Sequence, residues 1–264
     1  MKSFDLVIKQ DKEVEDAAEI LVDGVIDGRT YRFLFDTGAN TTRVRNDDYI
    51  NHFESYSSKD TYGVFSKMKN EQIIVPNLAL GPIEKVDFQM NRFDKDSPAH
   101  NIIGMDFLHD HSYFFNFVEN NVEVDKQGLE ELEFFDLHVG NKAIPNVDVY
   151  MEDTKVSAIW DTGAGITVVD SRLVDKYPKS FKSLNVVQGT DSSGSSTGTP
   201  MYMMQSVVIG NKLFPTLKVI SIDLSSINAK LEKPMDIILG YNCLNKANWL
   251  FDFPNKKWTI VKMN

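Results

Sequence analysis

The sequence predicts an all-β protein of two similar, six-to-seven-stranded, barrel-like lobes related by a pseudo-two-fold axis. Three observations carry this. The triplet Asp-Thr-Gly occurs twice, each time at the end of an apolar strand. Two aliphatic residues followed by glycine recur later in each half. Short alternating segments punctuated by turn residues run through the whole chain, a pattern of barrels and sandwiches rather than helical folds.

The internal repeat organises the rest. Its first copy reads Phe33-Leu34-Phe35-Asp36-Thr37-Gly38-Ala39 and its second Ala158-Ile159-Trp160-Asp161-Thr162-Gly163-Ala164. A shift of 125 residues superposes the triplets and their flanks. Ahead of Asp36, Ile20-Leu21-Val22-Asp23 leads through Asp27-Gly28 to Thr30-Tyr31-Arg32-Phe33, and Asp-Gly between alternating segments signals a hairpin. Ahead of Asp161, Val147 to Met151 leads through Glu152-Asp153 to Lys155 to Ala158. Both read as hairpins whose second strand delivers the aspartate. After the triplets, Thr42-Arg43-Val44 matches Thr167-Val168-Val169.

The second signature is Ile102-Ile103-Gly104-Met105-Asp106-Phe107-Leu108 in one half and Ile238-Leu239-Gly240-Tyr241-Asn242-Cys243-Leu244 in the other. Each is a short apolar strand, then glycine, then one or two helical turns. A closing hairpin follows: Phe115-Asn116-Phe117 into Val122-Glu123-Val124, and Phe251-Asp252-Phe253 into Trp258 to Val261. Four elements thus recur in the same order. Lys126-Gln127-Gly128 marks the boundary, giving lobes at 1–128 and 129–264. Helix is confined to short pieces after Gly104 and Gly240 and one near Ser171 to Tyr177. Residues 1–19 read either as a strand of an inter-lobe sheet or as a short removable segment.

Composition narrows the function. The chain has 264 residues and 42% hydrophobic content, enough to bury a core in one large β domain or two smaller ones. Lys and Arg number 28 against 38 Asp and Glu, a net charge of −10. That argues against nucleic acid, whose phosphates require clustered Lys and Arg. Cys243 is the only cysteine, so there is no intrachain disulfide. No run approaches a membrane span, so no membrane partner is expected. Met1-Lys2-Ser3-Phe4-Asp5 lacks an apolar signal core and the chain as given reads as cytoplasmic. An exported protein with its leader removed would read the same.

Two carboxylates brought face to face are the minimum apparatus for splitting an amide with water. About one hydrogen bond apart, they cannot both ionise and share one proton. The ionised member takes a proton from water and the protonated one donates to the carbonyl oxygen. Asp36 and Asp161 are the candidate catalytic pair. Gly38 and Gly163 allow a tight turn and aim N–H groups at the carboxylates. Two unrelated turns are the alternative, but ordinary residue usage makes even one chance triplet an event of roughly a few per cent.

With these residues in view, the chain resembles the retropepsin-like aspartic proteases, in the form with two copies fused in one chain. Asp-Thr-Gly-Ala, the aliphatic pairs before Gly104 and Gly240, and the Phe-Asx-Phe hairpins carry the resemblance over nearly the whole length. It implies an acid protease fold, hydrolase activity on a peptide or protein substrate, no cofactor and no metal. It implies that Thr37 and Thr162 turn inward and bond across the lobes, and that Ile102, Ile103, Ile238 and Leu239 pack beneath the loops. With both aspartates in one chain, a monomer suffices. The same fold without turnover, as a peptide-binding or regulatory module, is the competing function. Asn40 and Gly165 depart from the Asp or Ser often carried at that point in the family.

Ala39 and Ala164 stand where pepsin-like enzymes often carry a hydroxyl. Without that hydrogen bond to the charged form the carboxyl pKa rises, so a weakly acidic optimum is expected. Tyr62-Gly63 resembles a substrate-covering flap tip, though an ordinary surface turn reads the same. In the second half Gly189-Thr190 opens a Gly/Ser/Thr-rich stretch expected to be a mobile loop, either flap or solvated linker. His109-Asp110-His111 matches no common metal spacing and reads as a solvated turn. Cys243 reads as core.

Overall fold

The computed structural model describes residues 2–62, 67–128, 132–140, 143–190, 194–229 and 231–264. The chain opens with β1 (Ser3–Asp5) and β2 (Val7–Gln10), followed by the hairpin of β3 (Ala18–Ile26) and β4 (Arg29–Phe35). Its turn places Asp27 and Gly28 at φ 45° and 81°, the two left-handed residues that an Asp-Gly hairpin turn requires. Next come β5 (Arg43–Arg45), the long hairpin of β6 (Ser55–Tyr62) and β7 (Lys67–Leu80), β8 (Ile83–Phe93) and the two-residue β9 (Ile102–Ile103). A one-turn helix α1 (Met105–Leu108) leads to β10 (Ser112–Asn116) and β11 (Asn121–Val124).

The second half repeats this plan with additions. After β12 (Phe135–Asp136) and β13 (His138–Val139), β14 (Pro145–Met151) and β15 (Thr154–Trp160) form the hairpin that delivers Asp161. Then follow β16 (Thr167–Asp170), α2 (Ser171–Lys176), β17 (Phe181–Thr190), β18 (Ser196–Met204), β19 (Val207–Ile209), β20 (Lys212–Phe214) and β21 (Leu217–Ile222). The last elements are α3 (Ser225–Asn228), β22 (Ile237–Leu239), α4 (Tyr241–Leu244), β23 (Ala247–Asp252) and β24 (Lys257–Met263). The Asp170 carboxylate caps α2 by accepting the Arg172 N–H, as expected of an acid at a helix start.

The protein is all-β, with its strands in three sheets. One runs β2-β3-β4-β9-β5-β8-β7-β6. The second contains β14-β15-β22-β16-β21-β18-β17. Seven strands therefore occur in identical order in both halves, including the same parallel pairs, β4 with β9 and β15 with β22, and β5 with β8 and β16 with β21. Sheet sizes exceed the expected six to seven strands, at eight and ten. The surplus is peripheral: β2 adds to one edge, β13 adds to β14, and β19–β20 take over pairing with β14 that β7 alone provides to β3.

The third sheet joins the halves in the order β1-β11-β10-β23-β24-β12. Its central pair, β10 and β23, sets Tyr113 opposite Phe251 and Phe115 opposite Trp249. Residues 3–5 are thus a strand of this shared sheet, while residues 7–10 join the first. The Phe-Asx-Phe segments supply its aromatic face. Phe115 lies 4.7 Å and Phe251 4.4 Å, ring to ring, from Trp160. Trp160 is fully buried and immediately precedes Asp161, so packing between halves fixes the strand that ends at that aspartate. Among the described residues no helix is long and apolar enough to cross a membrane.

Candidate active site

Each aspartate sits where a strand leaves its sheet. The Asp36 N–H donates to Ile103 O at 3.0 Å and the Asp161 N–H to Leu239 O at 3.1 Å. The aliphatic pairs of the second signature therefore hold the strand ends in place. The loops then fold back onto the following glycines. Met105 N–H reaches Ala39 O, and Tyr241 N–H reaches Ala164 O, both at 2.8 Å.

Gly104 and Gly240 are required sterically. A Cβ on Gly104 would lie 2.8 Å from the Thr41 carbonyl carbon, and one on Gly240 2.4 Å from that of Ile166. Backbone passes too close for any side chain.

The threonines of the triplets interlock across the halves. Thr37 N–H donates to Thr162 Oγ1 at 3.0 Å, and Thr162 N–H donates to Thr37 Oγ1 at 3.1 Å. The Thr37 hydroxyl donates onward to Trp160 O at 2.8 Å. Both side chains are essentially inaccessible to water. Buried, mutually satisfied hydrogen bonds of this kind fix relative position, because breaking one strands a desolvated partner.

This lock brings Asp36 and Asp161 together, each carboxyl against the glycine of the opposite triplet. Ala39 N–H donates to Asp36 Oδ1 at 2.8 Å, and Gly163 N–H to Asp161 Oδ1 at 2.8 Å. The Gly38 N–H also crosses to the opposite half, donating to Asp161 Oδ1 at 3.1 Å. Each glycine packs against the opposite carboxyl: a Cβ on Gly38 would lie 2.4 Å from Asp161 Oδ2, and one on Gly163 2.3 Å from Asp36 Cγ.

Burial raises the pKa of both carboxyls. On Asp36 the positive charge of Arg43 works against it. On Asp161 the negative charge of Asp36 adds to it, pushing this carboxyl well above the usual range. Both effects favour the protonated form of Asp161 beyond that of an ordinary carboxyl.

Sequence reasoning missed two supports and one charge. Asp106 Oδ1 accepts from the Thr42 N–H at 2.9 Å and hydroxyl at 2.6 Å, and Thr42 Oγ1 accepts the Gly104 N–H at 3.0 Å. Asn242 Oδ1 accepts both donors of Thr167 at 2.8 Å, and Thr167 Oγ1 accepts the Gly240 N–H at 3.2 Å. A threonine at the same offset after each triplet and an acid or amide two residues after each glycine were the available signal. The charge is Arg43, aligned in the repeat with Val168.

The flap candidates have mixed placement. Tyr62 ends β6, paired with Lys67, and Gly63 lies outside the described residues. Gly189 and Thr190 are strand rather than loop: β17 and β18 pair as far as Thr190 opposite Ser196. Threonine is β-branched and suits a strand, and Thr199 is buried with its hydroxyl on Val187 O. Gly194, at φ 86°, packs so closely on Pro98 that a Cβ would lie 2.6 Å from its ring. The second hairpin therefore reaches the first half.

Asn40 is exposed, and Gly165 O accepts the Ala18 N–H at 3.2 Å, tying the second loop to β3. His109, Asp110 and His111 pair with Met105 O, Lys85 and Asp125. No cluster of metal-binding side chains forms among the described residues. Cys243 is wholly buried, and burial pushes its thiol far up.

The family model described as aspartyl protease matches residues 22–107 and 147–243. The chain belongs to the aspartyl protease family. No curated protein matches it. The two matched segments each span one Asp-Thr-Gly triplet and the Gly104 or Gly240 signature, so the duplication seen in the strand order is also a duplication of the aspartyl protease unit.

Proposed function

We propose that this aspartyl protease is an endopeptidase that activates water between Asp36 and Asp161, acting as a monomer on peptide or protein substrates. The observation that carries the proposal is the facing pair of carboxyls, one from each repeat and each packed against the other's glycine, with a single lock of threonines beneath it.

The chemistry follows from the shared proton. The ionised carboxylate takes a proton from water as the water oxygen bonds to the scissile carbonyl carbon. The protonated carboxyl gives its proton to the carbonyl oxygen, so a neutral gem-diol forms without a free oxyanion. The carboxyl that received the water proton then delivers it to the amide nitrogen. The C–N bond breaks, the diol returns a proton to the other carboxylate, and an acid and an amine leave. Burial and mutual repulsion keep one proton on the pair well above the ordinary carboxylate range, which supports activity in weakly acidic solution. The inward backbone N–H groups hold both carboxyls in reach of one water without rearrangement.

The test is a mass-spectrometric digest of a diverse peptide library from about pH 2 to 7 with wild type, Asp36→Asn and Asp161→Asn. Cleavage by wild type and its loss in both variants is the expected result. Activity confined near pH 2, or persisting in either variant, is incompatible with the proposal.

A further inference from the structure

We propose, resting on the endopeptidase reading, that the cleft has two walls of opposite character. The preferred peptide carries an acidic side chain on the Asp36 side of the scissile bond and a large apolar one on the Asp161 side. Arg43 is the residue that reads the acid.

Strand register places equivalent residues beside each aspartate. In the second half Ile159, Ile238, Val168, Ile220 and Met201 occupy successive paired positions across five strands. Directly paired residues of neighbouring strands share a face, and Ile159, two residues before Asp161, lies on the side of the strand from which that carboxyl projects. All five belong to one apolar cluster.

The corresponding row in the first half is Leu34, Ile102, Arg43, Asn91 and Gln72. Only Leu34 and Ile102 contribute to an apolar cluster there, a small one completed by Leu21 and Ala39. At the places of Val168 and Ile220 stand a guanidinium and an amide. The repeat is the same, so the difference resides in side chains alone.

Both polar residues are built in. Arg43 is 8% exposed, and its Nε donates to His100 O at 3.1 Å. Asn91 Nδ2 donates to Thr41 Oγ1 at 3.3 Å, and its N–H to Thr42 O at 3.0 Å. The Arg43 charge is felt at the Asp36 carboxyl, which places the guanidinium within electrostatic reach of the carboxyl pair.

The protein carries a net charge of −10, a field that disfavours acidic peptides generally. A cation in a buried wall reverses that locally, where low dielectric strengthens the interaction. A carboxylate can form a charge-assisted bond with it, whereas an apolar side chain there desolvates a charge and returns nothing. Polar sites that recognise one side chain reject the alternative by far more than an apolar pocket discriminates by size, which is roughly 10- to 200-fold per methylene.

The test uses four peptides identical except at the scissile pair, Glu-Leu, Leu-Glu, Leu-Leu and Glu-Glu. Wild type is expected to cut one mixed peptide at least about 10-fold faster, by kcat/KM, than the other three. Arg43→Val should make Leu-Leu the best substrate, and Arg43→Lys should keep the mixed preference. Each comparison is between peptides on one variant, so any effect of the substitution on the dyad cancels. Should the valine variant not fold, Arg43→Gln retains a donor for His100 O and should lose preference for glutamate over glutamine. Preference of wild type for Leu-Leu, or an acid preference that survives loss of the charge, overturns the proposal. If wild type cuts none of the four, the endopeptidase reading fails first. Fluorescence-anisotropy affinities then decide the wall separately: tighter binding of one mixed peptide supports it, and equal affinities overturn it.

Discussion

Gly163→Ala puts the geometry of the dyad to a quantitative test. The new Cβ would lie 2.3 Å from Asp36 Cγ, 2.5 Å from Oδ1 and 2.7 Å from Oδ2. Carbon atoms ordinarily settle about 3.5–4.0 Å apart, so the carboxyl must retreat by more than about 1 Å. It has little room to swing. Its Oδ1 is held by the Ala39 N–H at 2.8 Å, its partner carboxyl faces it, and the interlocked threonines prevent the loops from parting. Overpacking of this kind costs about 1–3 kcal/mol of stability, or about 2–4 °C in Tm per kcal/mol. A displacement of about 1 Å at reacting atoms costs about 100-fold in rate. The expected outcome is therefore a folded protein, slightly less stable, with kcat/KM down about 100-fold or more. Peptide hydrolysis at the pH optimum and a thermal melt provide both numbers. Gly28→Ala is the control: no atom lies within 4 Å of its Cβ position, and its φ of 81° predicts only backbone strain of about 1–2 kcal/mol. A Gly163→Ala enzyme with wild-type kcat/KM would refute the inferred dyad geometry.

Asp106 is a half-buried carboxyl whose pKa is raised, chiefly by desolvation. Stability is then greater while it is protonated and falls as pH rises through its unfolded value toward its folded one. Asp106→Asn copies Asn242 and should gain Tm relative to wild type between pH 4 and 7; a loss that grows with pH would contradict this. Arg43 opposes the burial of Asp36, so Arg43→Val should raise that carboxyl further. The acid limb of kcat/KM should move to higher pH, with Arg43→Lys close to wild type; an unmoved limb counts against the assignment. Glu19 is held down to about 2, first by His100 and then also by Lys9 against its partial burial. Its contribution to stability is present above the ordinary carboxylate pKa and lost as pH falls toward about 2. Glu19→Gln should therefore lower Tm at pH 6 and match wild type near pH 2. Cys243, inaccessible and with its thiol pushed up, should resist alkylation until the protein unfolds, and labelling of native protein would show that the core opens.

The paired aspartates were legible because the same three residues occur twice, and nothing in a simple turn explains a second copy with matching flanks. The strands β9 and β22, only two and three residues long, were legible for a related reason. A glycine that must let backbone pass, preceded by two aliphatic residues, leaves a mark that composition does not blur. Thr42 and Asp106, or Thr167 and Asn242, were in plain view but meaningless in isolation. They lie 64 and 75 residues apart and meet only because β9 and β22 insert between older neighbours in the sheet. The hairpin of β17 and β18 was misread as a loop because Gly and Ser dominate its tip. The ladder either side of it is sustained by β-branched threonines and by the contact of Gly194 with Pro98. Arg43 was invisible for a different reason. Its significance lies in register with Ile102 and in the contrast with Val168, which requires knowing both sheets.

The positions at which the copies agree and differ separate two kinds of demand. Thr37 and Thr162, Gly38 and Gly163, Thr42 and Thr167, and Gly104 and Gly240 are identical, and in the proposed mechanism each supports a carboxyl in a reaction where the two exchange roles as proton donor and acceptor. Symmetry serves that exchange. A peptide, however, has a direction, and a two-fold-symmetric cleft would present the same wall to both sides of the bond. Fusing both copies in one chain removes the constraint that they be equal. Arg43 against Val168 uses that freedom, and a second arginine in place of Val168 would set two cations around a carboxyl pair that carries a single negative charge, favouring loss of the shared proton. In the proposed reading, the asymmetry protects the symmetric chemistry while giving the substrate an orientation. Exchanging the two residues, Arg43→Val with Val168→Arg, should reverse the preferred order of glutamate and leucine at the scissile bond. A double variant that folds, cleaves and keeps the original order would show that orientation is set elsewhere.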